Sequence, residues 1–331
     1  RRRTKMRRAN LEVLEMARRD VVVFGGSGFI GRYLVRRLAD DGWRVIVAVR
    51  DPEGAGFLQP MGDVGQIVPL RCDVADKEQV AAVMSGAVAA INLVGILSEW
   101  GKKTFRRVHV EGARNIAQAA ADAGIDQVIQ VSAIGASLSS PSSYARSKAT
   151  AENVMREIVP GTRVVRPSII FGAEDGFFNL FGRMASLSPV IPLFGGGMTR
   201  FQPVYVDDVA AAIVSCLDDP SAAGRTFELG GPSVYTFHHL MEMVRRETQR
   251  SVMLVPMPFL VAHIQAMFLQ FWPKPLLTPD QVRLLQIDSV VHSGSAGLSE
   301  LGIVPTTVEV VVPRYLSLFR RGGLRGQPRF G

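Results

Sequence analysis

Cysteine is nearly absent: the 331 residues contain two, Cys72 and Cys216, far apart and in neither a CxxC nor a metal-ligand spacing. That excludes a disulfide framework and fits a reducing compartment. The five histidines (His109, His238, His239, His263, His292) include no pair at the spacing that sets two imidazoles on one helix face, so no metal site is expected. Long unbroken apolar runs are also missing. The most apolar stretch, Val252 to Trp272, is interrupted by Pro256, Pro258, His263, Gln265 and Gln270, whereas a spanning helix needs about 20 nearly uninterrupted apolar residues. Two arrangements fit it: a helix from about 258 to 272 at a bilayer surface or in a protein groove, or an ordinary buried helix.

A basic body is lacking too, despite the formal charge of +8. Residues 1–20 carry a net +5 and residues 314–331 another +5 with no acid, leaving −2 for everything between. A near-neutral body with two basic ends excludes a duplex-binding groove, so no nucleic acid is expected as a partner. The ends are either arms that meet an anionic surface, such as lipid headgroups or an acidic partner, or solvated and disordered. Arg1 to Asn10 is acid-free and resembles part of a transit peptide; no apolar core of a secretory signal follows, and Met16 is an alternative first residue.

What is present is a regular alternation. Val21 to Phe24 is a fully apolar run that ends directly in Gly25-Gly-Ser-Gly28-Phe-Ile-Gly31, after which Leu34, Val35 and Leu38 recur at helical spacing. Further apolar runs at 45–49, 66–70, 88–94, 127–131 and 163–165 alternate with helical stretches near 76–85, 107–123 and 143–158. Parallel strands need crossover connections, so this order predicts an α/β fold with a doubly wound parallel sheet, a Rossmann domain over 20–172. Past Gly172 the chain turns Gly/Pro-punctuated, which predicts a smaller C-terminal lobe over 173–313, part of it (about 203–230) returning to the first domain. Basic segments, 1–19 and 314–331, flank the two.

Gly25-x-x-Gly28-x-x-Gly31 sits between a strand and a helix, the context in which such glycines let backbone N–H groups meet a pyrophosphate. The second strand closes on Val49-Arg50-Asp51. NAD-binding chains usually place a carboxylate there for the ribose hydroxyls, whereas Arg50 offers a guanidinium to a 2′-phosphate; NADPH is the expected ligand, with Asp51 keeping NAD open. Asp73, after the third strand, is placed to face the adenine amine or to cap the next helix.

These features, with Asn92-Leu-Val-Gly95, Tyr144-Ala-Arg-Ser-Lys148, Arg166-Pro167 and Gln202-Pro-Val-Tyr-Val-Asp-Asp-Val209, resemble the extended or atypical short-chain dehydrogenases/reductases over about residues 20–250. The resemblance implies that Tyr144 is the general acid/base and that Lys148 lowers its pKa and holds the nicotinamide ribose. It also implies cofactor contacts from Phe29 and Ile30 of the turn, Val74 beside Asp73, Leu93, Val94 and Gly95, Ser132, Pro167 and Ile169. The family's catalytic serine is displaced: the chain reads Val131-Ser-Ala-Ile-Gly135, with Ile134 in the catalytic place. In finer detail, Val131 to Gly135, Ser142 to Lys148, Arg166 to Asn179 and Phe201 to Val206 are similar to the nucleotide-binding accessory subunits of respiratory complex I of alphaproteobacteria and mitochondria. That branch implies tightly held NADPH without established turnover. It also implies other complex I subunits as partners where the peripheral arm meets the membrane arm, near the quinone site. The place would be peripheral on the inner membrane, on the cytoplasmic face in bacteria or the matrix face in mitochondria. The alternatives are a working NADP-dependent reductase, epimerase or dehydratase using Tyr144 and Lys148, and a soluble regulator sensing NADP(H).

Overall fold

The structure is a computed structural model in which residues 19–271 and 277–322 are described. The N-terminal segment through residue 18, Trp272 and residues 323–331 of the expected basic tail lie outside them. The strands are β1 (Asp20–Phe24), β2 (Arg44–Val49), β3 (Ile67–Arg71), β4 (Ala89–Asn92), β5 (Gln127–Val131), β6 (Arg163–Pro167), β7 (Ile170–Phe171), β8 (Val190–Phe194), β9 (Arg200–Phe201), β10 (Val204–Tyr205), β11 (Thr226–Leu229), β12 (Tyr235–Thr236) and β13 (Met253–Met257). The helices are α1 (Phe29–Asp40), α2 (Lys77–Met84), α3 (Gly112–Asp122), α4 (Ser143–Ile158), α5 (Phe178–Leu187), α6 (Val206–Asp218), α7 (Phe237–Thr248), α8 (Phe259–Leu269), α9 (Pro279–Leu284) and α10 (Val308–Leu316).

Seven strands form one sheet in the order β11-β6-β5-β4-β1-β2-β3, and every pairing within it is parallel. The chain order reverses between β1 and β4, which opens a crevice beyond the carboxyl ends of those strands. The apolar run of β1 is explained by burial on both faces. Val21 and Val23 pack with Leu34, Val35 and Leu38 of α1 and with Val209 and Ile213 of α6; Val22 and Phe24 pack with α2, α3 and α4 through Val80, Ile116 and Met155. Each valine so buried contributes roughly 1.5–3 kcal/mol.

A second core joins Phe171, Phe178, Phe181, Phe237, Leu240, Val244 and Tyr315. The chain returns to the first core over β10, α6 and β11, and α6 is fastened to α1 by a bidentate pair, Arg37 to Asp207, at 2.7 Å for both bonds. A later stretch returns as well: Glu228 N–H donates to Ala296 O (2.8 Å), and Leu298 enters the first core with Leu301 and Ile303 against it. Local pattern gives no sign of this second return, because the bonds that hold it join residues far apart in the chain.

Residues 314–322 do not stand off as a tail. The Tyr315 hydroxyl donates to the buried Asp175 carboxylate, and Arg320 donates to Glu247 O at 2.8 Å. Within Val252–Phe271, Met253–Met257 forms β13 and Phe259–Leu269 forms α8, which lies inside the helix expected from about 258 to 272. Only Ala262 and Ala266 of α8 are buried, so it is not an ordinary core helix.

Candidate nucleotide site

The glycine turn lies at the carboxyl end of β1. Gly25 takes a positive φ of 78°, a conformation that costs a side-chain-bearing residue roughly 1–2 kcal/mol. Gly31 is needed for a different reason: a Cβ there would overlap the Gly26 carbonyl and come within 2.6 Å of Gly26 Cα, so α1 rests directly on the turn. At Gly28 the protein itself hardly demands glycine, since an added Cβ would meet only Gly25 O at 3.2 Å. The open space there and the N-terminus of α1 form one cradle. α1 begins with no side-chain cap and no acidic residue in its first turn, which leaves its first N–H groups directed at whatever occupies the crevice. This donor set fits a dinucleotide pyrophosphate.

The structure brings the β4 loop and α4 to the same place. A Cβ on Gly25 would stand 3.3 Å from Val94 Cγ2, and one on Gly95 would stand 3.3 Å from Lys148 Nζ. The loop is held by Asn92, which accepts from Val94 N–H (3.0 Å) and donates to Gln130 (2.8 Å). Arg50 is exposed at the end of β2 and makes no ion pair among the described residues. Asp51 directs one oxygen to its own turn, accepting from Gly54 N–H at 3.0 Å. Asp73 accepts from Ala75 N–H (3.0 Å) and lies 3.6 Å from Arg107. The cap of α2 is Asp76, which accepts from Glu78 and Gln79, so Asp73 is not spent on capping. Ser168 and Ser289, on the β6 side, are hydrogen-bonded to one another, closing the edge next to Pro167 and Ile169.

Tyr144 and Lys148 lie one turn apart on α4, as their spacing requires. Burial pushes the Tyr144 phenol up to about 12, away from neutrality. Lys148, whose burial outweighs the help of Glu152 and brings it down to about 8, donates to Val131 O at 3.1 Å. A phenol acts as a general acid/base near neutral pH when an adjacent cation draws its pKa down; here the ammonium is bound to a carbonyl. Ser132 is buried with an Oγ that has no partner among the described residues, and Ile134 is anchored by its N–H to Pro167 O (3.0 Å).

Two residues in this cluster escape the sequence reading. His109 is buried on the π-helical turn Arg106–Glu111 that leads into α3. Its Nε2 accepts from Ile96 N–H (2.9 Å) and its Nδ1 meets Ser147 Oγ at 2.8 Å. Because the Ser147 hydroxyl donates to Tyr144 O (2.7 Å), it accepts from His109, which carries its proton on Nδ1. Burial, assisted by the Lys148 charge, holds this imidazole down at about 3, so it stays neutral and acts as a brace between the β4 loop and α4. Its ring stacks on Phe105 and stands edge-on to Tyr144. The available signal is its spacing: His109 shares one helical face with Gly112, Ala113, Ile116, Ala117 and Ala120, all buried.

The second is Asp280, on α9. Its carboxylate accepts from the Ser142 hydroxyl (2.8 Å), Ser143 N–H (2.8 Å) and Tyr144 N–H (3.0 Å), capping α4 from outside its own chain segment. Asp280→Ala is expected to cost about 3 kcal/mol, the scale of one or two charge-assisted hydrogen bonds lost with their amides left bare. Asp280→Asn, which keeps an acceptor, should cost less than half of that. Thermal denaturation together with hydrogen exchange at the Tyr144 amide reads both effects. An exchange rate unchanged in Asp280→Ala would show that this cap is not formed in solution.

Among the described residues no group of three or more His, Cys, Asp or Glu side chains is placed to hold a metal, and no helix is long and apolar enough to cross a membrane.

The profile of the NAD dependent epimerase/dehydratase family matches residues 21–230. The chain is 39% identical over 321 residues, 93% of its length and 79% of the relative's, to the Arabidopsis thaliana mitochondrial NADH dehydrogenase [ubiquinone] 1 alpha subcomplex subunit 9. It is 35% identical over 209 residues, 62% of each chain, to a ceramide reductase of Caulobacter vibrioides. Among solved structures, UDP-glucose 4-epimerase of Thermotoga maritima superposes with a TM-score of 0.69 at 18% identity, covering 91% of this chain and 99% of that one. The last likeness shows the fold alone.

Proposed function

The chain belongs to the NAD dependent epimerase/dehydratase family, and from that premise we propose that it is an NADP(H)-holding, non-catalytic accessory subunit of NADH:ubiquinone oxidoreductase. The observation that carries the reading is a division within one site. The turn of Gly25, Gly28 and Gly31 leaves open space at Gly28 beside the uncapped start of α1, while the surroundings of Tyr144 do not favour proton relay: burial raises the phenol, Lys148 donates to Val131 O, and the run Val131-Ser-Ala-Ile134-Gly135 has an aliphatic residue where the family resemblance expects a hydroxyl. Similarity to the subunit 9 chain over most of both lengths supports the assembly; the partners in this reading are other complex I subunits, at the junction of the two arms near the quinone site, with the chain peripheral on the inner membrane.

In this reading α1 and the glycine turn seat the pyrophosphate, Arg50 takes the 2′-phosphate, and Asp73 faces the adenine. Tyr144 and Lys148 grip the nicotinamide ribose, while Phe29, Ile30, Val74, Leu93, Ser132, Pro167 and Ile169 line the rest. The bound group would supply hydride chemistry; this chain's residues orient it and exclude water from it. Occupancy alone stabilises the fold, by about 2.7 kcal/mol at a free ligand concentration of 100 Kd, so a structural role needs no turnover.

The intact Tyr144/Lys148 pair favours a second reading, a working NADP-dependent reductase, epimerase or dehydratase. One experiment separates them. The protein is purified from its native membranes in mild detergent, and nucleotide is released and quantified in the fraction with which it migrates. NADPH near one per chain, co-migrating with NADH:ubiquinone oxidoreductase activity and retained within about tenfold affinity in Tyr144→Phe, as expected for losing one neutral hydrogen bond, supports the subunit. A free protein that turns over a carbonyl or sugar-nucleotide substrate, with turnover abolished in Tyr144→Phe, overturns it.

A further inference from the structure

Helix α8 is built inside out. Its buried face is made of small residues, Ala262 and Ala266, whereas Leu260 (72% exposed), Ile264, Met267, Phe268 (75%) and, just beyond the helix, Phe271 (75%) project outward on one side. These positions recur at the spacing of a single helical face, and an ordinary surface helix places its large apolar residues on the opposite face. In β13, which leads into α8 through Pro258, Met253 and Val255 are exposed as well. No Asp, Glu, Lys or Arg occurs from Ser251 to Phe271. A contiguous apolar surface of this kind marks an interaction face.

The surroundings define the partner. Beside Met253 opens a cleft of about 670 Å³ lined by Arg245, Arg246 and Arg250, and α9, which follows in the chain, carries Arg283 at its last turn. Each acid of this border has an arginine partner: Glu242 with Arg245, Glu247 with Arg246 and Arg320, and Asp280 with Arg283. Arg250 donates to Phe319 O instead, so Arg245, Arg246, Arg250, Arg283 and Arg320 outnumber the three acids by two. An apolar face with a cationic border matches hydrocarbon beneath anionic headgroups. With 11 residues, α8 is only about 16 Å long, too short to cross a bilayer; a helix of this kind on a membrane would lie in the interface plane with Phe268 and Phe271 sunk to the headgroup/acyl boundary.

We propose that the α8–β13 face is the surface by which this protein seats on an anionic bilayer. The proposal rests on the membrane-peripheral reading above and names the residues that would make it so. The full chain, with its nucleotide content measured in the same samples, is co-sedimented with vesicles of phosphatidylcholine alone and of phosphatidylcholine with phosphatidylglycerol. Partitioning is expected to be about tenfold or more stronger on the anionic vesicles, and to fall by about tenfold in the triple variant Leu260→Gln/Phe268→Gln/Phe271→Gln. The paired variant Arg245→Gln/Arg246→Gln should weaken only the preference for anionic vesicles. Wild type that ignores both vesicles overturns the proposal and makes the face a protein contact. A triple variant that sediments like wild type overturns it by assigning the binding to the basic ends, and equal partitioning onto both vesicles overturns the headgroup assignment. Nucleotide near one per chain in a protein that fails to sediment leaves the cofactor reading standing; sedimentation without nucleotide does the reverse.

Discussion

Gly31→Ala is expected to yield protein that carries no nucleotide after purification and that melts roughly 6–12 °C below the nucleotide-free wild type, the shift produced by about 3 kcal/mol in a domain of this size. The reason is the position of the obstacle. A Cβ at Gly31 meets Gly26 backbone, with Gly26 Cα at 2.6 Å, and backbone in a glycine turn has no rotamer by which to yield. α1 must therefore move off the turn by a distance on the order of 1 Å, and its N–H groups lose their aim at the pyrophosphate. Gly28→Ala is the informative contrast. Its Cβ would meet only Gly25 O at 3.2 Å, so the nucleotide-free protein should melt within a few degrees of wild type while affinity for the nucleotide still falls, because the methyl group fills space reserved for the ligand. Calorimetric melting of nucleotide-free samples, with NADPH titration, reads both. If Gly28→Ala binds as tightly as wild type, the pyrophosphate does not lie over that residue.

Arg50→Ala is expected to weaken NADPH binding by about 10- to 150-fold, corresponding to the 1.5–3 kcal/mol of a charge-assisted hydrogen bond, and to change NADH binding by less than about threefold on the same scale. Arg50 is exposed at the end of β2 and carries no competing ion pair among the described residues, while Asp51 turns an oxygen to Gly54 N–H. The pair is thus arranged with the cation available and the carboxylate partly committed, opposite to the arrangement that favours a bare ribose. Arg50→Lys should recover only part of the loss, since an ammonium lacks the planar fork. Isothermal titration with each nucleotide decides the matter: equal weakening of NADPH and NADH would remove the 2′-phosphate assignment.

The parts of the site that the sequence discloses are those made by short stretches of chain. Gly25, Gly28 and Gly31 form the turn with their own neighbours, and Tyr144 and Lys148 share a helix face because of their separation alone. His109 and Asp280 are different. The partners of His109 are 13 and 38 residues away, and the amides capped by Asp280 are 136 and 137 residues away. Thr278-Pro-Asp280 does announce a helix start, and Thr278 forms a capping box with Gln281; the same stretch gives no sign that its acid also starts another helix.

Sequence by itself determined the nucleotide-binding α/β domain. Strand, glycine turn and helix are each set by local sterics, and parallel strands buried on both faces leave an unmistakable apolar rhythm, as in Val21 to Phe24. It also determined that Val252 to Trp272 does not span a membrane. Tertiary structure alone decided which way that segment faces, because α8 carries apolar residues on every side and composition cannot say which side packs; the small alanines face the protein and the large side chains were left outside. It alone decided, too, that Lys148 meets Val131 O and that the C-terminal lobe caps the Tyr144 helix. Such contacts join residues whose proximity is set by how the sheet, its helices and the second lobe pack, and no local pattern encodes that distance.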